Sequence, residues 1–160
     1  MPELQAASTK VLDRPAATGA AIAGLGVALP STIKTNEPIA ERLGVTPEWI
    51  TERTGVRERR VAVDGETVVD YAAAAGAAAI DDAGIDPAQV DLVLVATCTH
   101  EMLCPAAAPV VAARLETGLA GAMDINAACS GFLSGVSMAA AQIETGRIDT
   151  ALVIGADLMH

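Results

Sequence analysis

Three cysteines, a single tryptophan and a short run of arginines are the residues of this chain with the most chemistry to offer. Cys129 stands out by its setting. It lies in Asp124-Ile125-Asn126-Ala127-Ala128-Cys129-Ser130-Gly131-Phe132, between an apolar run that reads as a strand (121–125) and one that reads as a helix (130–144). The thiolate is the reactive form of cysteine, and a helix N-terminus stabilises its negative charge. A cysteine on a tight strand-to-helix turn projects its sulfur from the end of a sheet, where backbone N–H groups can hold a developing oxyanion. Ala127, Ala128, Ser130 and Gly131 are small enough to leave room for a substrate. The same position suits a small buried hydrophobe, because free Cys is among the most buried residue types. Position alone leaves both readings standing.

The other candidates are weaker. Cys98 and Cys104 complete an odd set of three cysteines with no CxxC pair, which speaks against a disulfide framework or a structural zinc site. No metal is expected. His100 falls in a loop and His160 is the last residue, so neither reads as an acid–base group. Gly24 and Gly26 imitate the start of a dinucleotide fingerprint, but the third glycine and the phosphate-cradling helix do not follow. Arg57, Arg59 and Arg60 concentrate positive charge in an acidic chain; they suit either an anionic ligand or ion pairs with neighbouring Glu residues.

The elements that must position Cys129 follow from composition and pattern. The chain has 160 residues, 52% of them hydrophobic, which suits one domain with a substantial core. Aromatic residues are only 2%, so that core is built from Ala, Val, Ile, Leu and Met, with elements in close approach. A net charge of −10 repels phosphate backbones and argues against a nucleic-acid partner. No apolar run reaches the roughly 18 to 20 residues of a membrane span, and the N-terminus lacks the apolar region of a signal peptide. The expectation is a flexible tail over residues 1–19, a folded unit over 20–160, and a cytoplasmic location with no membrane partner.

Short apolar strands alternate with helical stretches, the pattern of an α/β layered sheet. Strands are expected at 20–27, 56–63, 91–96, 121–125 and 150–156. Helices are expected at 36–43 with Asn36 as cap, 47–53 stopped by Gly55, 67–83 capped by Thr67, 106–116 and 130–144. Residues 131–143 carry no charge on any face, with Phe132, Leu133, Val136, Met138 and Ile143 spread around the helix. A helix apolar all round is a buried one. Alone, it would leave a large apolar face uncovered, a situation that drives association.

Residues 124–132 resemble the active-site segment of the β-ketoacyl-acyl-carrier-protein synthase III enzymes of the thiolase-like superfamily. A second match, Glu48-Trp49-Ile50-Thr51-Glu52-Arg53-Thr54-Gly55-Val56-Arg57-Glu58-Arg59, is similar to that family's EWI…RTGI.ER signature. Leu25-Gly26, Leu29-Pro30 and Thr35-Asn36 fit its first strand and following loop, and Ala151-Leu152-Val153-Ile154-Gly155-Ala156-Asp157 fits a later strand. The likeness runs in order from about Ala20 onward, and two separate motifs at the expected distance favour Cys129 as the nucleophile.

The resemblance implies an αβαβα fold when complete, with this chain supplying the N-terminal βα half as a mixed five-stranded sheet. It implies that Cys129 takes an acyl group from coenzyme A and that a malonyl-acyl carrier protein then condenses with it, losing carbon dioxide. Trp49, Arg53 and Arg57 would bind coenzyme A, the Trp stacking on the adenine. Cys104, Asn126 and Phe132 would shape the acyl pocket; Cys104 sits where acetyl-specific members often carry Phe, so a longer or branched primer is implied, unless Cys104 is an incidental loop residue. A catalytic His and Asn belong to a C-terminal half that this chain does not contain. The complete unit would be a homodimer in fatty acid or polyketide biosynthesis, with acyl-coenzyme A as substrate and no permanently bound cofactor. A related acyltransferase without carbon–carbon bond formation, or a non-catalytic subunit, are the alternatives.

Overall fold

The computed structural model describes residues 19–158. The expected tail over residues 1–19 and His160 lie outside the described residues, apart from Gly19 itself.

The first elements form a small excursion. Strand β1 (Thr32–Thr35) is followed by helices α1 (Glu37–Leu43) and α2 (Pro47–Thr54) and by strand β2 (Glu58–Val61), which pairs antiparallel with β1. Thr46 caps α2 by accepting from the Trp49 N–H at 3.1 Å, and Gly55 ends it at φ +74°, a conformation open to glycine. Asn36 occupies the cap position of α1, but its side chain does not cap the helix. Instead it is buried and donates to Thr51 Oγ1 at 3.1 Å and the Val56 carbonyl at 2.8 Å, and accepts from Arg59 at 2.7 Å. These partners satisfy it fully, so the cap expected of Asn36 is a knot tying both helices to β2.

The second unit is a three-layered core. Helix α3 (Val68–Ala83) begins at a reciprocal capping box between Thr67 and Asp70 and stops at Gly84. Strand β3 (Leu92–Ala96) is buried along its whole length. It lies at the centre of a parallel sheet in the order β4-β3-β5, flanked by β4 (Gly121–Ile125) and β5 (Ala151–Gly155). Helix α4 (Ala107–Arg114) connects β3 to β4, and α5 (Gly131–Glu144) connects β4 to β5. One face of the sheet (Val93, Val95, Ile154) packs on α3 and α4 through Val69, Ala72, Ile80 and Val111. The other face packs on α5, where Ala139 meets Leu92 and Leu94.

Two expectations are corrected. Residues 20–27 form no strand, and the five strands among the described residues divide into a two-stranded and a three-stranded sheet rather than one sheet of five. The reason is the glycines. A Cβ at Gly24 or Gly26 would collide with the backbone of Ala75, Ala79 and Ala83, so this segment lies flush on α3 and not beside a strand. The second correction concerns α5, which was expected to be buried on all sides. Only Gly131, Gly135 and Ala139, one turn apart, are buried, while Leu133 is 71% exposed and Phe132, Val136 and Met138 are also exposed. Small residues face the sheet because the approach is close: a Cβ on Gly135 would lie 2.9 Å from Val153 Cγ1. The bulky residues are left on the outer face, uncovered as anticipated for the chain by itself.

Candidate active site

The parallel strands point their carboxyl ends the same way, the edge at which α/β sheets bind ligands. Cys129 lies there, in a single 3-10 turn (Ala128–Ser130) between β4 and α5. Ala128, just before it, has φ +45°, a left-handed conformation costly for a residue with a Cβ. Such a bend turns the chain from strand into helix within a few residues and leaves Cys129 exposed. The Ser130 hydroxyl donates to the Ala127 carbonyl at 2.8 Å and steadies the turn. Behind it, Gly131 sits on the end of β3, where a Cβ would lie 3.1 Å from the Cβ of Ala96. Asp124 anchors the strand side: its carboxylate accepts from the Ala107 N–H at 2.9 Å and the Ala108 N–H at 2.6 Å, the first turn of α4.

A second constellation at the same edge was missed in the sequence. Asp157, just past β5, accepts through one oxygen from Cys98 N at 2.9 Å, Thr97 Oγ1 and Thr99 Oγ1 at 3.2 Å, and Cys98 Sγ at 3.5 Å. Burial pushes this carboxyl up, but the hydrogen bonds from Cys98, Thr99 and Thr97 outweigh it and leave the net shift downward. The bond to Asp157, and then its charge, push the Cys98 thiol up. Thr99 closes the knot by accepting from Leu158 N at 2.9 Å. The signal available in the sequence was positional: Cys98 and Asp157 each follow a strand end by two residues, and neighbouring parallel strands bring those ends together.

The other predicted residues fall in three places. Asn126, exposed at the end of β4, and Phe132, in the first turn of α5, lie on the Cys129 edge. Phe132 packs on Gly155, where a Cβ would meet its ring and Cβ atoms at 3.2 to 3.5 Å. Cys104 is exposed in the loop of residues 97–106, which His100 braces by donating from Nε2 to the Pro105 carbonyl at 3.2 Å. Trp49 and Arg53 lie on α2, four residues apart, so both project from one face. The Arg53 guanidinium sits over the indole, 5.6 Å from its centroid, and Trp49 is 47% exposed. Arg57 borders a shallow groove of about 410 Å³ together with Asn36, Thr51 and the acidic Glu37, Glu48 and Glu52. Arg59 serves Asn36, and Arg60 donates to the carbonyls of Pro30 and Ser31, so these two brace the excursion. Among the described residues no group of three His, Cys, Asp or Glu side chains could hold a metal ion, and no helix is long and apolar enough to cross a membrane.

The chain is similar to known proteins. The family described as thiolase, N-terminal domain, matches residues 50–160. A β-ketoacyl-acyl-carrier-protein synthase III of Streptomyces coelicolor is 47% identical over 140 residues, 88% of this chain and 42% of the relative. The crystal structure of 3-oxoacyl-acyl-carrier-protein synthase III from Aquifex aeolicus superposes with a TM-score of 0.79 at 39% identity, over 84% of this chain and 43% of that one. OleA from Xanthomonas campestris, with bound lauric acid and lauroyl-coenzyme A, superposes with a TM-score of 0.76 at 28% identity, over 86% of this chain and 43% of that one. The chain thus spans less than half the length of these relatives.

Proposed function

The chain belongs to the thiolase family through its N-terminal domain, and from that premise we propose that it carries the nucleophile of a ketoacyl synthase III-type condensing enzyme. Cys129 takes an acyl group from acyl-coenzyme A as a thioester, and the acylated enzyme then condenses with malonyl-acyl carrier protein. The observation that carries this reading is the exposed thiol of Cys129 on a left-handed bend at the carboxyl edge of the sheet, two residues before α5. A thiol so placed can form a covalent thioester and split the transfer into two easier steps. The lauroyl-coenzyme A held by the Xanthomonas relative supports a coenzyme A thioester as donor.

Trp49 and Arg53 form the adenine platform in this reading. Their stacked arrangement closes the slot, and Arg53 must swing away from the indole for a base to enter between them. Arg57 contributes charge toward the cofactor's phosphates, and Cys104, Asn126 and Phe132 shape the acyl pocket. The His and Asn that stabilise the malonyl-derived enolate come from the part of the relatives this chain does not match, and the working unit is a cytoplasmic homodimer.

Intact mass after incubation with acyl-coenzyme A tests the first step. One acyl adduct per chain, absent in Cys129→Ala, is expected; an unmodified wild-type mass overturns it. In a protein that also carries the C-terminal half of the relatives, an adduct with no carbon dioxide released from malonyl-acyl carrier protein would assign the site to acyl transfer without condensation.

A further inference from the structure

The Cys129 edge holds a second thiol that acyl transfer does not use. Strands β3 and β4 run parallel with Ala96 opposite Ile125, and Thr97 N donates to the Ile125 carbonyl at 3.1 Å. Beyond Ile125 the chain folds back over the end of β3, seating Gly131 on Ala96. Cys98 follows Ala96 by two residues and Cys129 precedes Gly131 by two, so the two cysteines belong to segments that meet at one strand end, near enough for the charge of Cys129 to act on Cys98. Both are exposed. Asp157 fixes Cys98 there through its backbone N–H and its sulfur.

We infer that Cys98 and Cys129 form a reversible disulfide when a hydroperoxide reaches the site, a modification that silences the nucleophile and protects it from irreversible oxidation. The roles divide by environment. Asp157 holds the Cys98 sulfur by a hydrogen bond that, with the charge of the carboxylate, pushes that thiol up, so Cys129 is the thiol oxidised first. The Cys129 thiolate displaces hydroxide from hydrogen peroxide, becoming a sulfenic acid as the peroxide O–O bond breaks. The Cys98 sulfur then attacks that sulfur. Its proton passes through the Asp157 carboxylate to the departing hydroxide, and water leaves as the S–S bond forms. The two thiols together lose two electrons and two protons, and one hydrogen peroxide becomes two waters.

This inference shares Cys129 with the acyl-transfer reading but needs only its thiol, so the two fail separately. The protein, in the assembly in which it is expressed, is treated with a small excess of hydrogen peroxide, alkylated, digested and mapped by mass. A peptide linking Cys98 to Cys129, two hydrogens lighter than the sum of its parts and lost on reduction, is expected. Cys104→Ser should keep the link. In Cys98→Ser, Cys129 should pass to sulfinic acid, and its alkylation recovered by reductant should fall about tenfold. Wild-type Cys129 reaching sulfinic acid without a link, or a link to Cys104 instead, overturns the inference. Wild-type mapping decides the matter by itself where Cys98→Ser does not fold. A link in a protein that takes no acyl group would leave this inference standing and sink the acyl-transfer reading alone.

Discussion

Asp124 and Ala108 join the strand that leads to Cys129 to the neighbouring helix: the Ala108 N–H donates to Asp124 Oδ1 at 2.6 Å, while the Ala107 N–H donates to the other oxygen. A single carboxylate thereby satisfies two of the four N–H groups that open α4, a helix whose own cap residue, Ala106, has no side chain to offer. Asp124 is five residues before Cys129, so this anchor also sets where the turn begins. Asp124→Ala should cost about 1 to 2 kcal/mol in chemical denaturation, and Asp124→Asn less, because one acceptor oxygen survives. The rate of Cys129 acylation should fall more in the Ala variant than in the Asn variant. Equal stability of wild type and Asp124→Ala would show that the anchor contributes nothing.

Gly135 gives a packing prediction. Its missing side chain is what lets α5 settle on Val153, and a Cβ there would lie 2.9 Å from Val153 Cγ1 and 3.4 Å from Ile125 Cδ1. Ala normally stabilises a helix by about 1 kcal/mol relative to Gly. Here the clash should reverse that sign, and Gly135→Ala should destabilise by roughly 1 to 3 kcal/mol. A gain in thermal midpoint for Gly135→Ala would contradict the close approach.

Much of this arrangement is legible without coordinates. Strand β3 announces itself as an unbroken apolar run, and Thr67, Gly55 and Gly84 mark helix ends by capping chemistry that acts over three or four residues. What escapes is long-range. Cys98 and Asp157 are 59 residues apart and meet only because β3 and β5 are neighbours. Residues 20–27 carry the apolar content of a strand, yet their glycines fit them to the helix α3. The orientation of α5 was hidden for a related reason: with small and large apolar residues on every side, hydropathy cannot tell which face meets the sheet, whereas close packing selects Gly131, Gly135 and Ala139. Asn36 read as a cap because its type and place fit one, and the partners that satisfy its buried side chain come from three other segments.

Trp49 and Arg53 yield a prediction on binding. Aromatic stacking on a base is worth about 1 to 3 kcal/mol, so Trp49→Ala should raise the KM for acyl-coenzyme A by roughly 5- to 150-fold. The maximal rate of acylation should change much less, because α2 does not touch the Cys129 turn through any hydrogen bond among the described residues. Trp49→Phe should recover part of the loss. An unchanged KM in Trp49→Ala would remove the platform from the mechanism.

The pH dependence of stability should carry the mark of Asp70. Arg114, which donates to it across the α3–α4 contact, and the Thr67 cap hold its carboxyl down to about 2 from an ordinary value of 3.8. A carboxyl with a depressed folded pKa stabilises the fold at pH above its unfolded pKa, and that contribution disappears as pH falls from about 4 toward 2. The side chains of Arg114 and Asp70 are 47% and 41% exposed, so solvent screens the pair and the contribution is about 1 kcal/mol or less. Asp70→Ala should therefore lower stability near neutral pH, both by losing the ion pair and by opening the capping box of α3. The difference from wild type should shrink as the pH is taken down through 4 to 2, and Arg114→Gln should reproduce the part due to the ion pair. Urea denaturation of the three proteins across that range measures it, and a wild-type advantage that persists undiminished at pH 2 would show that the charge on Asp70 is not its source.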